Sequence, residues 1–195
     1  RGAGDILGGQ QSGFIDTVGI ELFMEMLNEE INKLKGIETK KEEETNNPIV
    51  EVDTTIEDSY VLDEEVKIEI HKLINTIDSK ERLNEVKQEL EDRFGKIDEK
   101  LEIYMYEEWL EKLMQKQNIK NVRQTKNFIE IPLDKTKAEK INGEELFYEL
   151  TQKGNMFRFT SRNNNLNIIL DTVKLEKHYI YYLIDLMLLL EKCQK

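Results

Sequence analysis

Thirteen residues at the start of the chain, Arg1-Gly-Ala-Gly-Asp-Ile-Leu-Gly-Gly-Gln-Gln-Ser-Gly13, hold five of its ten glycines: Gly2, Gly4, Gly8, Gly9 and Gly13. Glycine inside a helix or strand costs about 0.5–1 kcal/mol relative to alanine, so this run is a loop. Ile6 and Leu7 give it an apolar plug, and Arg1, Gln10 and Gln11 give it polar reach, which a flexible tail or a cloning scar does not need. Exposed backbone amides with a few long polar side chains suit a loop that passes close to a ligand or another domain. A phosphate cradle is the first chemistry to test. The spacing is G-x-G-x-x-x-G, not the dinucleotide G-x-G-x-x-G, and no Gly-Lys-Ser/Thr follows. Neither nucleotide-loop reading survives.

The second stretch with chemical promise is Glu85-Val-Lys-Gln-Glu-Leu-Glu-Asp-Arg-Phe-Gly95. Glu85, Glu89 and Asp92 fall at i, i+4 and i+7, while Leu90 and Phe94 mark the inward side. On a helix the three carboxylates therefore project together as an acidic ridge. The plain reading of such a ridge is a solvated face. Elsewhere the residues offer no catalytic or metal constellation. His71 and His178 are far apart, and neither has a second ligand three or four residues on. Cys193 is the only cysteine, so no intrachain disulfide forms, which fits a reducing cytosol. With forty Asp and Glu, any carboxylate pair arises by chance, and no serine sits in a nucleophile elbow. Catalytic residues: none; metal ligands: none.

A net charge of −12 opposes a primary nucleic-acid-binding role. Lys112, Lys116, Lys120, Arg123 and Lys126 form a loose basic run, diluted by neighbouring acids. No apolar core of a signal peptide is visible, and the most apolar run, Tyr179 to Leu190, is interrupted by Asp185. It falls short of the roughly 20 apolar residues of a membrane span and reads as a buried helix. A cytoplasmic protein without a membrane role is expected. The chain opens on Arg1 in mid-motif, which points to a piece of a longer protein.

Residues 14–35 read as a long helix with Ile20, Phe23, Met24, Leu27, Ile31 and Leu34 on one face. Residues 37–48 form an acidic linker: from Glu38 to Asn47 there is no apolar side chain, and Pro48 ends it. Residues 49–62 look extended, with Ile49, Val50 and Val52 suited to a short strand. Three helices follow, over residues 63–77, from an Asp78-x-x-Glu81 cap to Phe94, and over about 98–117. Alternation then predicts strands at 120–125 and 128–133, a helix at about 142–152 packing Leu146, Phe147 and Leu150, a hairpin of 156–160 with 166–170, and a last helix over 174–193. The fold class is α+β: a helical segment followed by a small antiparallel sheet covered by helices.

The opening loop, with Val18-Gly-x-x-Leu-Phe-x-x-Met-Leu27, resembles the end of the motor region in the bacterial transcription-repair coupling factors. Its first part also resembles the fork translocase RecG. Ile56-Glu-Asp-Ser-Tyr-Val-Leu-Asp63 resembles the coupling factors' Ile-x-x-x-Tyr-Ile-Pro-Asp, with Leu62 in place of the proline. Glu89-Leu-x-Asp-Arg-Phe-Gly95 resembles a motif of their C-terminal domain. The likeness covers most of the chain and weakens from about residue 118. It implies three parts: residues 1–36 as the tail of a translocase module, 37–48 as a linker and 49–195 as a regulatory domain. It implies that Arg1 and Gln11 couple ATP hydrolysis to stepping on double-stranded DNA, with ATP and magnesium bound upstream and no cofactor in this part. The parent would be an ATP-driven helicase-superfamily translocase that displaces stalled RNA polymerase and recruits UvrA, whereas this part alone would have no ATPase activity. Glu89 and Asp92, with Glu85 beside them, would meet arginines of a UvrB-like N-terminal module and hold the parent closed. The alternative is a DNA-binding accessory domain of a RecG-like enzyme.

Overall fold

The computed structural model describes Val50, residues 52–162 and residues 165–195. Arg1, Gln11, the expected helix over 14–35 and the linker lie outside the described residues.

Three helices open the domain: α1 Glu64–Ile74, α2 Lys80–Phe94 and α3 Glu99–Lys116. Each starts where a short polar side chain satisfies free amides of the first turn. Asp63 Oδ1 accepts from the Glu65 and Val66 amides at 2.8 and 3.2 Å, Ser79 Oγ from Arg82 at 3.1 Å, and Asp98 Oδ1 from Leu101 at 2.7 Å. The cap of α2 is thus Ser79, one residue beyond the expected Asp78, because its extended backbone brings the hydroxyl over the third amide. Ile70 and Ile74, then Leu83, Val86 and Leu90, then Leu101, Met105, Leu110 and Met114 are buried at helical spacing. Burying each such side chain contributes about 1.5–3 kcal/mol.

Residues 52–57 form no strand; Ile56 and Val61 reach the core from an irregular segment that turns over residues 58–60. Tyr60 fixes this segment to the end of α2. Its hydroxyl donates to the Leu90 and Gly95 carbonyls at 3.2 and 3.1 Å, and its ring meets Phe94 edge-on at 6.1 Å. Leu62, where the related motif has proline, is exposed. Gly95 ends α2 at φ 90° and ψ 180°, a conformation essentially restricted to glycine. A Cβ there would meet nothing within 4 Å, so the strain of Gly95→Ala lies in the backbone alone. We expect it to cost about 2 kcal/mol in urea unfolding, with the helix content of the folded state unchanged.

The sheet has four antiparallel strands in the order β1-β2-β4-β3: β1 Arg123–Gln124, β2 Phe128–Leu133, β3 Phe157–Arg162 and β4 Asn165–Asp171. β4 pairs with both β2 and β3, so the second hairpin inserts beside the first. Register places Ile129, Ile131 and Leu133 beside Leu170, Ile168 and Leu166, with Phe157 and Phe159 beyond. β1 is shorter than expected. Between β2 and β3 lie a short helix that alternation alone does not reveal, α4 Lys135–Glu139, and α5 Gly143–Gln152. Leu146 and Leu150 are buried, but Phe147 is exposed and lies against Phe159 at 5.7 Å, outside the core.

The last helix, α6 Tyr179–Lys192, begins five residues later than expected, because the His178 imidazole caps it by accepting from the Ile180 amide at 3.2 Å. Burial pushes the His178 pKa down, which favours the neutral, accepting ring. α6 lies against α3: Gln117 Nε2 donates to the Met187 carbonyl at 2.7 Å, and the Tyr181 hydroxyl to Glu102 at 3.1 Å. The chain end is held by the Cys193 carbonyl, which accepts from the Asn142 amide at 2.8 Å. Among the described residues no helix is long and apolar enough to cross a membrane.

Candidate interaction surface

Leu83, Val86 and Leu90 turn one side of α2 inward, and 3.6-residue periodicity leaves Glu85, Glu89 and Asp92 exposed together on the other. The structure thus brings together all three residues of the expected ridge. Glu85 Oε2 receives Arg82 at 3.0 Å, and Glu89 Oε1 receives Arg93 at 3.5 Å. Arg93 also reaches Glu69 at 3.3 Å and lies 4.8 Å from the Phe94 ring centroid. Asp92 makes no ion pair among the described residues. Solvent-exposed pairs of this kind are worth about 0–1 kcal/mol each, so an incoming guanidinium displaces or shares them at little cost. Carboxylates at this spacing on one rigid face can accept bidentate arginine contacts.

Three of the five residues of the basic run are engaged by acceptors of the fold. Lys112 donates to the Ile77 carbonyl at 2.7 Å, Lys116 pairs with Glu191 at 2.7 Å, and Arg123 pairs with Glu130 at 2.7 Å. His71 is structural: its Nδ1 lies 2.8 Å from the Tyr104 hydroxyl and links α1 to α3. Burial raises the Tyr104 pKa to about 12.

Two features escape the sequence. Glu107, Glu108 and Glu111 on α3 bring carboxylate oxygens within 4.8 Å of one another, and Glu107 is only 4% exposed. Burial, then repulsion from Glu111 and Glu108, pushes the Glu107 pKa up to about 7, and a hydrogen bond to Glu111 favours the protonated form. The i, i+4 spacing of Glu107 and Glu111 was visible, but nothing in it marked Glu107 as buried. The other feature is a groove of about 1020 Å³ between the start of α2, α3 and α6. Tyr106 and Trp109 are three residues apart on α3, but Tyr181 joins them only through the packing of α6.

The fold is α+β, and it resembles a crystal structure of the C-terminal domain of a transcription-repair coupling factor. The two align with a TM-score of 0.62 at 22% identity, over 74% of this chain and 91% of that one. The TRCF domain family model matches residues 50–144. The transcription-repair-coupling factor of Staphylococcus epidermidis (strain ATCC 35984) is 35% identical over 178 residues, covering 89% of this chain, and that of Bacillus subtilis (strain 168) is 30% identical over 172 residues, covering 88%. The chain belongs to the transcription-repair-coupling factor family. It spans 15% of the length of these curated relatives.

Proposed function

We propose that the chain is the C-terminal regulatory part of an ATP-dependent double-stranded DNA translocase that displaces stalled RNA polymerase and recruits UvrA for excision repair. In this reading residues 49–195 hold the parent closed. The observation that carries it is the exposed ridge of Glu85, Glu89 and Asp92 on a rigid helix, in a family of coupling factors. The partner surface is an arginine-bearing face of the UvrB-like N-terminal module, whose UvrA-recruiting surface is covered in the closed state. Arg1 and Gln11 belong to the motor side and couple stepping to hydrolysis; ATP, magnesium and duplex DNA are bound by the motor.

The acidic character of the aromatic groove supports this reading over a duplex-binding accessory. Single strands and duplexes need cationic grooves, and in this one the carboxylates outnumber the lysines. Weak, exposed pairs suit a clamp that must open, and salt screens them.

In the intact protein, Glu89→Ala with Asp92→Ala is expected to raise UvrA affinity by about tenfold, the equivalent of roughly 1.4 kcal/mol of lost closure. Calorimetry of the chain with the separate N-terminal module at two salt concentrations should show binding that salt weakens and Glu89→Ala removes. Unchanged UvrA binding in the double variant would sink the clamp.

A further inference from the structure

The groove between the start of α2, α3 and α6 is built differently from the ridge. Its floor is aromatic: Tyr106 lies 6.1 Å from Trp109 and 4.9 Å from Tyr181, the latter edge-on. Ile184 and Leu188 of α6 add an apolar wall, and Leu188 is 40% exposed although it is a leucine on the most apolar helix among the described residues. Around this floor the carboxylates outnumber the lysines seven to three. Glu102 sits within it, its carboxyl held by Lys87 at 2.7 Å and by the Tyr181 hydroxyl at 3.1 Å. Burial pushes the Glu102 pKa up, but these two hydrogen bonds outweigh it and keep the group ionised.

The chain already places one of its own cations on the floor. Lys80 Nζ lies 4.8 Å from the Tyr106 ring centroid and 5.9 Å from that of Trp109, and donates to the Tyr106 hydroxyl at 2.5 Å. A cation over aromatic faces is attracted to them, the more so the further it is desolvated. Lys80 is a long side chain on the first turn of a helix and can swing aside. The aromatic floor, the carboxylate rim and the exposed leucine together ask for a ligand that is both cationic and apolar. Lys87, Lys116 and Lys153 hold Glu102, Glu191 and Asp185, whereas Asp78, Glu81, Glu99 and Glu176 form no ion pair among the described residues. A phosphate-bearing ligand would meet the repulsion of these four, and a purely apolar one would leave them unanswered.

We propose that this groove docks a basic amphipathic segment of a protein partner, which sets an arginine or lysine on the Tyr106–Trp109–Tyr181 floor and an apolar side chain against Leu188. The charge complementarity of the rim selects that occupant. Groove and ridge are separate surfaces that approach each other at the first turn of α2, where Glu81 on the groove rim precedes Glu85 by one helical turn. Neither assignment depends on the other.

Trp109 is the only tryptophan of the chain, so its fluorescence reports occupancy directly. The probe is a synthetic helical peptide of leucines and arginines in amphipathic order, titrated into the 195-residue chain. Saturable change in Trp109 emission is expected. Leu188→Lys, which alters an exposed position, should weaken binding at least about tenfold with the melting temperature retained. Lys80→Ala should tighten it by about threefold, since the incoming cation no longer competes with a resident one. Alanine at Glu85, Glu89 and Asp92 should leave it unchanged. The proposal is overturned if the emission does not respond, if Leu188→Lys binds as well as the parent, or if spermidine produces the same response at the same concentration, which would mark a site for small cations. Loss of the response in the ridge variant alone would assign the peptide to the ridge and also overturn it. A matched peptide with glutamate for arginine should not bind; equal binding would mean that charge plays no part and would overturn the proposal too.

Discussion

Glu107→Gln is expected to stabilise the domain at pH 8 by about 2–3 kcal/mol and to flatten its stability between pH 4.5 and 7. The cause is the burial of a carboxyl on α3 among two others, which lifts its folded pKa from 4.5 to about 7. Below pH 4.5 both folded and unfolded chains hold the proton, and the group contributes its full stabilisation. As pH rises towards 7 the unfolded chain releases the proton and the folded chain keeps it, so the contribution is progressively lost. Above 7 both states are ionised and the penalty stays constant. Glutamine preserves the shape, can still donate to Glu111 and has no charge to lose. Urea unfolding of parent and variant at pH 5 and pH 8 reads the effect. Curves that shift in parallel with pH would mean that Glu107 titrates normally and that the pH dependence arises elsewhere.

This carboxyl shows where sequence reasoning stops. Periodicity and caps make α1, α2 and α3 legible, because a helix signals its buried stripe through its own residues: Ile70 and Ile74, Leu83, Val86 and Leu90. The ridge was legible for the same reason, since Glu85, Glu89 and Asp92 are defined by the stripe they oppose. Its suggested role came from likeness to a family and not from physical chemistry, which by itself assigns a solvated face. What periodicity cannot report is which neighbours cover an element. Glu107 lies on a helix packed on more than one side, so a position that reads as polar is enclosed. Tyr106, Trp109 and Tyr181 form one floor only once α6 lies on α3, a contact between distant parts of the chain. Phe147 erred in the opposite direction: an apolar residue beside Leu146 reads as core, yet one step of 100° around α5 carries it out to solvent. The start of α6 was misplaced because Leu175 continues the apolar pattern, whereas the cap that sets the boundary is a histidine outside the common capping residues.

The second large effect arises on the face of the sheet that alternation assigns to water. Ile129, Ile131 and Leu133 enter the core as expected, but Glu130 between them is also buried, 5% exposed. It pairs across the β1–β2 ladder with Arg123, whose guanidinium lies 2.7 Å from Glu130 Oε2 and 5.4 Å from the Phe128 ring centroid. Arg123 thus meets two of the three residues on this face of β2, Phe128 and Glu130, with one planar side chain, joining a charge pair to a ring contact. Breaking such a pair from one side leaves a buried charge without its main partner and costs about 3 kcal/mol. Arg123→Met is therefore expected to lower the unfolding free energy by that amount. Replacing both residues by Met and Leu should restore most of it, because apolar side chains of similar volume need no solvation. The four-member cycle, measured by urea unfolding, separates this from loss of packing. If the single and double variants lose stability additively, the pair contributes nothing as a pair, and Arg123 acts only through the surface it covers on Phe128.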